Sequence, residues 1–183
     1  MTIYLIRHGL TAANETHLYC GSTDLPLSEA GKDQLRALRY SCPGAEFVTS
    51  GMERTEQTLA ILFGPVPHRR DPRFREVDFG VFEMRGYEQL KGDGDYQAWI
   101  SGDNEKNVPP GGESGEEMTA RVLSAFGELA RGEKDVVLIT HGGVIAAIMA
   151  ARFPEEGKNR YQWQPKPGHG YALTGGTYRP IPE

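Results

Sequence analysis

The stretch Ile3-Tyr4-Leu5-Ile6-Arg7-His8-Gly9 places four apolar residues directly before two basic side chains and a glycine. A run of this length favours a buried strand over a helix, and the glycine indicates a turn where the strand ends. We therefore predict a strand over residues 3–6, followed by a loop that begins with Arg7 and His8. Both basic side chains would then lie at the carboxyl end of a buried strand.

The rest of the chain repeats an alternation of strands and helices. Apolar residues recur at helical spacing after Ser28 and after Ser114, and each serine is a suitable N-cap. The runs 47–49 and 136–139 predict further buried strands, the first followed by a helix over residues 52–62 and the second by an apolar helix. This alternation predicts an α/β fold, a three-layer sandwich with a central, mostly parallel sheet covered by helices on both faces.

The length of 183 residues and the apolar content of 38% predict one domain over residues 1–183. Residues 92–115 are rich in Gly, Asp, Asn and Pro, which predicts a loop-rich insertion within that domain. Near the C-terminus, frequent Gly and Pro leave residues 171–173 and 177–179 as the two strands of a terminal hairpin.

The chain carries 20 Lys and Arg against 25 Asp and Glu, a formal charge of −5. Its basic residues form no run long enough to follow a nucleic-acid backbone, so nucleic acid is not an expected partner. No stretch is apolar enough for a signal peptide or a membrane span, which predicts a cytoplasmic protein without a membrane partner. Cys20 and Cys42 lack the spacing of a disulfide framework or a zinc site, so we expect free thiols and no metal.

Two histidines, His8 and His141, each follow a predicted strand and each precede a glycine. In a parallel sheet, ligands bind at the carboxyl edge of the strands, where helix N-termini present free N–H groups. Arg7 adds a planar set of donors that matches phosphate oxygens, and Arg54 would lie at the same edge, in the first turn of a helix. Each residue taken singly is more typical of a structural role. Their combination favours a phosphate site.

Several motifs together resemble the histidine phosphatase (phosphoglycerate mutase-like) superfamily. The segment LIRHGLTAAN (residues 5–14) resembles its signature of Arg-His-Gly followed by Thr or Ser and Asn. Further blocks follow in family order and cover most of the chain: GSTDLPLSEAGKDQ (21–34), TSGMERTEQTLAIL (49–62), REVDFGVFE (75–83), PPGGES (109–114) and ITHGGVI (139–145). Any one block alone would be weak evidence, whereas six in order are specific.

The resemblance implies catalytic roles for five residues: His8 as nucleophile, Arg7 and Arg54 as phosphate-binding arginines, a protonated His141, and Glu76 as general acid. It implies substrate binding at Thr11, Asn14, Cys20, Gly21 and Gly142. We expect the His8 ring to donate one N–H to a backbone carbonyl, which fixes the tautomer. The arginines supply the positive charge that a metal supplies elsewhere, so no metal or other cofactor is implied.

The predicted activity is hydrolysis of a small phosphorylated metabolite through a phosphohistidine on His8. The likeness is greatest to small members such as alpha-ribazole phosphatases and broad-specificity phosphatases, so alpha-ribazole 5'-phosphate is a candidate substrate. A cofactor-dependent phosphoglycerate mutase and an inactive phosphate-binding regulatory protein remain alternatives, and a homodimer is left open. Six further side chains are expected either to line an apolar rim suited to a ring-bearing leaving group or to belong to the core: Tyr19, Phe79, Phe82, Met84, Tyr87 and Trp99.

Overall fold

The structure is a computed structural model that describes residues 1–103 and 105–182, and these residues form one six-stranded sheet. The strands are β1 (Thr2–Arg7), β2 (Glu46–Thr49), β3 (His68–Arg70), β4 (Val136–Thr140), β5 (Gly170–Thr174) and β6 (Thr177–Ile181). Their order across the sheet is β3-β2-β4-β1-β5-β6, with parallel pairing from β3 to β1 and antiparallel pairing of β5 and β6. The predicted mostly parallel sheet and its terminal hairpin are confirmed.

In the described part of the chain the α-helices are α1 (Ala12–Glu15), α2 (Glu29–Ala37), α3 (Glu53–Phe63), α4 (Tyr87–Leu90), α5 (Gly94–Ile100), α6 (Gly115–Leu129), α7 (Gly142–Arg152) and α8 (Arg160–Trp163). Short 3-10 turns occupy Pro72–Phe74, Gly80–Phe82 and Pro154–Glu156. Ser28 and Ser114 cap α2 and α6 as predicted, because each hydroxyl accepts an N–H bond of 3.1 Å from the first helical turn. Within residues 1–103 and 105–182, no helix has the length and apolar character needed to cross a membrane.

Two apolar cores lie on opposite faces of the sheet. Ile3 and Leu5 of β1 belong to the larger core, which they share with Phe126 of α6. Ile6, on the same strand, belongs to the second core together with Leu59 of α3. Because successive strand residues point to opposite faces, one apolar run serves both cores. This arrangement confirms the predicted three layers.

The insertion expected at residues 92–115 differs from the prediction. Its first part is helix α5, which begins because the Asp93 side chain accepts bonds from the N–H groups of Asp95 and Tyr96 at 3.0 and 3.3 Å. Residue 104, in the same segment, lies outside the described residues. The loop prediction was wrong for residues 94–100, since the Asp-rich stretch caps a helix there. Assignment of residues 1–183 to a single domain remains our proposal, supported by the single sheet.

The first and fourth strands end together at one edge of the sheet. Arg7 pairs with Thr140 at the end of the β1–β4 register, and the His8 N–H donates to the Thr140 carbonyl at 2.9 Å. Helix α3 starts four residues after β2 at this edge, and α7 starts two residues after β4. The topology therefore brings His8, Arg54 and His141 to one place.

Candidate active site

The rings of His8 and His141 are in contact at the carboxyl edge of β1 and β4. Their centroids are 5.1 Å apart and their planes are inclined at 63°. His8 is 5% exposed and His141 is fully buried. The two rings therefore lie together at this edge, and His8 is the more accessible of the two.

A backbone acceptor fixes the tautomer of His8. Its Nδ1 lies 2.7 Å from the carbonyl oxygen of Gly9, and a ring nitrogen bonds to a carbonyl only as an N–H donor. Burial, followed by the charges of Arg54 and Arg7, holds the pKa of His8 well below its usual range. His8 is therefore neutral, with an Nε2 lone pair that is available for attack on phosphorus.

His141 is also neutral, so the expectation of a protonated ring was wrong. Burial holds its pKa well below the usual range, and the charge of Arg54 lowers it further. The Arg54 Nε donates to His141 Nδ1 at 3.3 Å, and His141 Nε2 donates to the Ser50 hydroxyl at 2.9 Å. A ring that accepts a bond from a buried guanidinium cannot also carry a proton on that nitrogen. The positive charge here therefore comes from arginine.

The two neutral histidines should make stability depend on pH. Unfolded histidine takes up a proton near pH ~6.5, whereas the folded chain resists protonation of both rings. Below about pH 6.5 the unfolded state therefore binds more protons, and the free energy of unfolding should fall by ~1.4 kcal/mol per pH unit for each histidine. Above that pH the two rings should contribute no slope.

Urea unfolding between about pH 7 and pH 5 measures this slope in the wild type and in His141→Asn. The variant should have a slope that is shallower by ~1.4 kcal/mol per pH unit. His17→Asn, which replaces an exposed histidine, serves as the control and should keep the wild-type slope. Equal slopes for the wild type and His141→Asn would contradict the neutral assignment.

Arg54 is buried, at 1% exposure, and each end of its guanidinium is fixed. Nη2 donates to the Gly21 carbonyl at 2.8 Å and Nη1 to the Thr23 carbonyl at 2.9 Å. The Thr58 hydroxyl donates to the Arg54 carbonyl at 2.7 Å and accepts from the Gly9 N–H at 3.0 Å. Helix α3 is thereby joined to the loop that contains His8 and Gly9, and the arginine charge is held beside both histidines.

Glu83 is a positioning residue that sequence reasoning missed. Its carboxylate accepts bonds from the N–H groups of Gly21, Ser22 and Thr23 at 2.9 to 3.2 Å, and from the Thr23 hydroxyl at 2.7 Å. The same loop supplies the two carbonyls that hold Arg54. Glu83 therefore orients the arginine through the loop. Its only signal in the sequence was its place at the end of the segment REVDFGVFE, which indicates no partner.

Replacement of Glu83 by alanine should lower kcat/KM for a phosphate monoester by about 10²-fold, because a loop shift of about 1 Å would misplace the guanidinium. Steady-state kinetics measures the loss, and Glu88→Ala, an exposed residue of α4, is the matched control. Glu83→Gln should recover part of the activity, since its amide oxygen can still accept some of the N–H bonds. Wild-type kinetics in Glu83→Ala would show that the loop does not position Arg54.

Arg7 has a donor that the protein leaves unused. Nη1 donates to the Pro165 carbonyl at 2.9 Å, but the buried Nε has no hydrogen-bond partner among the described residues. A Cβ atom on Gly142 would lie 3.2 Å from Arg7 Cζ, so the glycine leaves room for the guanidinium. A buried donor without a partner costs ~1–3 kcal/mol. A phosphate oxygen would satisfy it.

Glu76 is held by backbone N–H groups beside the start of α7. Its Oε2 accepts from Gly143 at 2.8 Å, and its Oε1 accepts from Val77 at 3.0 Å. A Cβ atom on Gly143 would lie 2.3 Å from Glu76 Oε1, so a larger residue there would displace the carboxylate. The carboxyl group is thereby fixed in a place from which it can exchange a proton with a ligand near Arg7.

The other predicted substrate-binding residues are engaged within the protein. Thr11 and Asn14 form a capping box at α1, where the Asn14 Oδ1 accepts from the Thr11 N–H and hydroxyl, each at 3.1 Å. The Gly21 N–H donates to Glu83, and only Cys20 of this group lines the cavity described next. Substrate binding by Thr11, Asn14, Cys20, Gly21 and Gly142 remains a proposal.

A cavity of about 210 Å³ is here called the catalytic cavity because Arg7 and Glu76 line it, with Tyr19, Cys20, Phe79 and Gly143 among the other lining residues. His8, Arg54 and His141 lie outside this lining. Tyr19 and Phe79, with ring centroids 5.0 Å apart, lie in the cavity wall, as the rim alternative predicted. For Phe82 the core alternative applies, because it is fully buried in a small core with Tyr96. Among the described residues, no group of three or more His, Cys, Asp or Glu side chains could hold a metal ion.

Comparison with known proteins gives consistent results. The family model described as the histidine phosphatase superfamily (branch 1) matches residues 3–175. The chain is 31% identical over 163 residues to the adenosylcobalamin/alpha-ribazole phosphatase of Salmonella typhimurium, covering 82% of this chain and 78% of the relative. The alpha-ribazole phosphatase of Shigella flexneri matches with a TM-score of 0.84 and 26% identity, covering 97% and 93% of the two chains. A phosphoglycerate mutase of Thermus thermophilus matches with a TM-score of 0.74 and 31% identity, covering 96% and 94%.

Proposed function

The chain belongs to branch 1 of the histidine phosphatase superfamily and is a phosphatase, and we propose that it acts through a phosphohistidine formed on His8. The observation that carries this proposal is the neutral His8 ring, whose Nδ1–H is held by the Gly9 carbonyl. This arrangement leaves Nε2 as a nucleophile beside His141 and the buried Arg54. A small phosphorylated molecule is the substrate that such a family implies.

In the first step, His8 Nε2 attacks phosphorus and the bond from phosphorus to the ester oxygen breaks. Negative charge on the phosphoryl oxygens is stabilised by Arg54 and by Arg7, whose buried Nε supplies a donor without another partner. His141 carries no charge in this scheme, and its ring accepts the bond from Arg54 Nε that holds the guanidinium in place. The leaving oxygen takes a proton from the carboxyl group of Glu76, which lines the catalytic cavity with Arg7.

In the second step, water attacks the phosphoryl group and the bond between nitrogen and phosphorus breaks. Glu76, now a carboxylate, takes the proton of the water, so a single group serves as acid and then as base. The products are inorganic phosphate and the regenerated neutral His8. All positive charge that this scheme requires comes from the chain's own arginines.

We propose alpha-ribazole 5'-phosphate as a substrate, since relatives of this sequence and structure bear the name alpha-ribazole phosphatase. The aromatic wall of Tyr19 and Phe79 is suited to a leaving group with a planar ring. The likeness to a phosphoglycerate mutase favours a second candidate, transfer of the phosphoryl group to another hydroxyl. A phosphate-binding protein without activity is opposed by the joint presence of His8, Arg54 and Glu76 in one site.

The test is an assay of the purified wild type, without added metal, on alpha-ribazole 5'-phosphate, p-nitrophenyl phosphate, and 3-phosphoglycerate with bisphosphoglycerate. We expect release of phosphate from the first two and no isomerisation of the third. Isomerisation faster than hydrolysis would establish the mutase instead. No turnover of any ester would leave only phosphate binding, which isothermal titration with inorganic phosphate would then detect.

A further inference from the structure

Arg160, the first residue of α8, lies where three cavities adjoin. It lines the catalytic cavity, a second cavity of about 220 Å³ with Tyr19, Phe79 and Trp99 in its wall, and a third of about 610 Å³ beside Ala146 and Ala150 of α7. We call the second the aromatic cavity and the third the alanine-lined cavity. Because Arg160 lines the catalytic cavity together with Arg7 and Glu76, a leaving group held there lies near its guanidinium.

The carboxylates at this junction are each paired with an arginine. Arg160 Nη1 is bonded to Glu105 Oε1 at 2.5 Å, and Glu105 itself lines the alanine-lined cavity. Glu113 lines the aromatic cavity and is paired with Arg121. Among the described residues that line the three cavities, Arg7 and Arg160 are the cations. Because Arg7 serves the phosphate, the leaving-group side has no cation without a carboxylate partner.

This charge distribution disfavours a second anion on the substrate. An anionic leaving group at the junction would lose hydration without gaining an unpaired cation, because the charge of Arg160 is already compensated by Glu105. A neutral leaving group pays no such cost and can still accept a bond from the guanidinium, whose other nitrogens remain available. A charge left without a partner is a recognised means of rejecting a wrong substrate.

We propose that the Glu105–Arg160 ion pair is a specificity determinant that restricts the enzyme to phosphate monoesters with an uncharged leaving group. The inference rests on the proposed phosphatase activity and adds its substrate class. Both side chains are about one-third exposed, so solvent lowers the cost of placing an anion there and the discrimination should be moderate. Phosphoglycerates, whose leaving group carries a carboxylate, belong to the disfavoured class.

The test compares phenyl phosphate with 4-carboxyphenyl phosphate, which differ in the charge of the leaving group. The wild type should prefer phenyl phosphate at low ionic strength. Glu105→Gln should raise kcat/KM for 4-carboxyphenyl phosphate by about fivefold and leave that for phenyl phosphate unchanged. The gain should disappear at high salt. Glu133→Gln, the same charge change at an exposed site preceding β4, is the matched control and should have no effect.

The double variant Glu105→Gln/Arg160→Gln tests whether the gain in Glu105→Gln comes from Arg160 without its carboxylate partner or merely from the loss of one negative charge. Its kcat/KM for 4-carboxyphenyl phosphate should return toward the wild-type value, because the gain depends on Arg160. A wild type that hydrolyses both esters equally well, or an unchanged preference in Glu105→Gln, would overturn the inference while leaving the phosphatase intact. Failure of the wild type to hydrolyse phenyl phosphate would instead refute the proposed function.

Discussion

Replacement of His8 by alanine is expected to lower kcat for phosphate monoesters by about 10⁴-fold or more, because the covalent step loses its nucleophile. No other described side chain is placed to substitute for it, since both nitrogens of His141 are engaged by Arg54 and Ser50. The variant should still bind inorganic phosphate, as Arg7 and Arg54 remain. Loss of turnover with retained phosphate binding therefore separates nucleophilic attack from recognition.

Initial rates with p-nitrophenyl phosphate measure the loss, and titration with phosphate measures the binding. His68→Ala is the matched control, because it removes an exposed histidine on the edge strand β3, which β2 separates from β4 and β1. It should retain wild-type kcat. Turnover by His8→Ala within about tenfold of the wild type would refute covalent catalysis by this residue.

Glu76→Gln is expected to have the second largest effect, and its size should depend on the leaving group. For an alkyl monoester such as ethyl phosphate, kcat/KM should fall by about 10³-fold, because an alkoxide leaves poorly without a proton. For p-nitrophenyl phosphate the fall in kcat/KM should be about tenfold, since that leaving group needs little protonation. Glutamine keeps the size of the side chain and an oxygen that can accept from the Gly143 N–H.

Comparison of the two esters in one variant corrects for any structural disturbance, which would affect both substrates alike. The kcat for p-nitrophenyl phosphate should fall further than its kcat/KM, because Glu76 also activates the water in the second step. Glu133→Gln serves again as the control for charge. Equal losses of kcat/KM for ethyl and p-nitrophenyl phosphate would contradict the role of Glu76 as general acid.

The fold was predictable wherever an apolar run could be buried on both sides. Residues 3–6 and 136–139 are such runs, and the two histidines follow directly from their ends. The contact between His8 and His141 could therefore be predicted from the rule that parallel strands end at the same edge of a sheet. The helices that follow Ser28 and Ser114 were predictable because each serine is a suitable N-cap and apolar residues recur after it at helical spacing.

Features that depend on contacts distant in the chain were not predictable. Strand β3 consists of His68, Arg69 and Arg70, all exposed, and it forms a strand because β2 offers a free edge. Glu83 receives bonds from a loop about sixty residues earlier. The neutral state of His141 depends on its burial and on the Arg54 side chain in contact with its ring. None of these partners is near in sequence.

The most direct test of the account is to locate the phosphoryl group on the enzyme. Wild-type protein mixed with labelled p-nitrophenyl phosphate is quenched within the first turnover, digested under mildly alkaline conditions that preserve phosphohistidine, and mapped by mass spectrometry. We expect the label on the peptide that contains His8, and no labelled peptide from His8→Ala. Label on His141 or on another residue, or hydrolysis by an enzyme that never becomes labelled, would contradict the account.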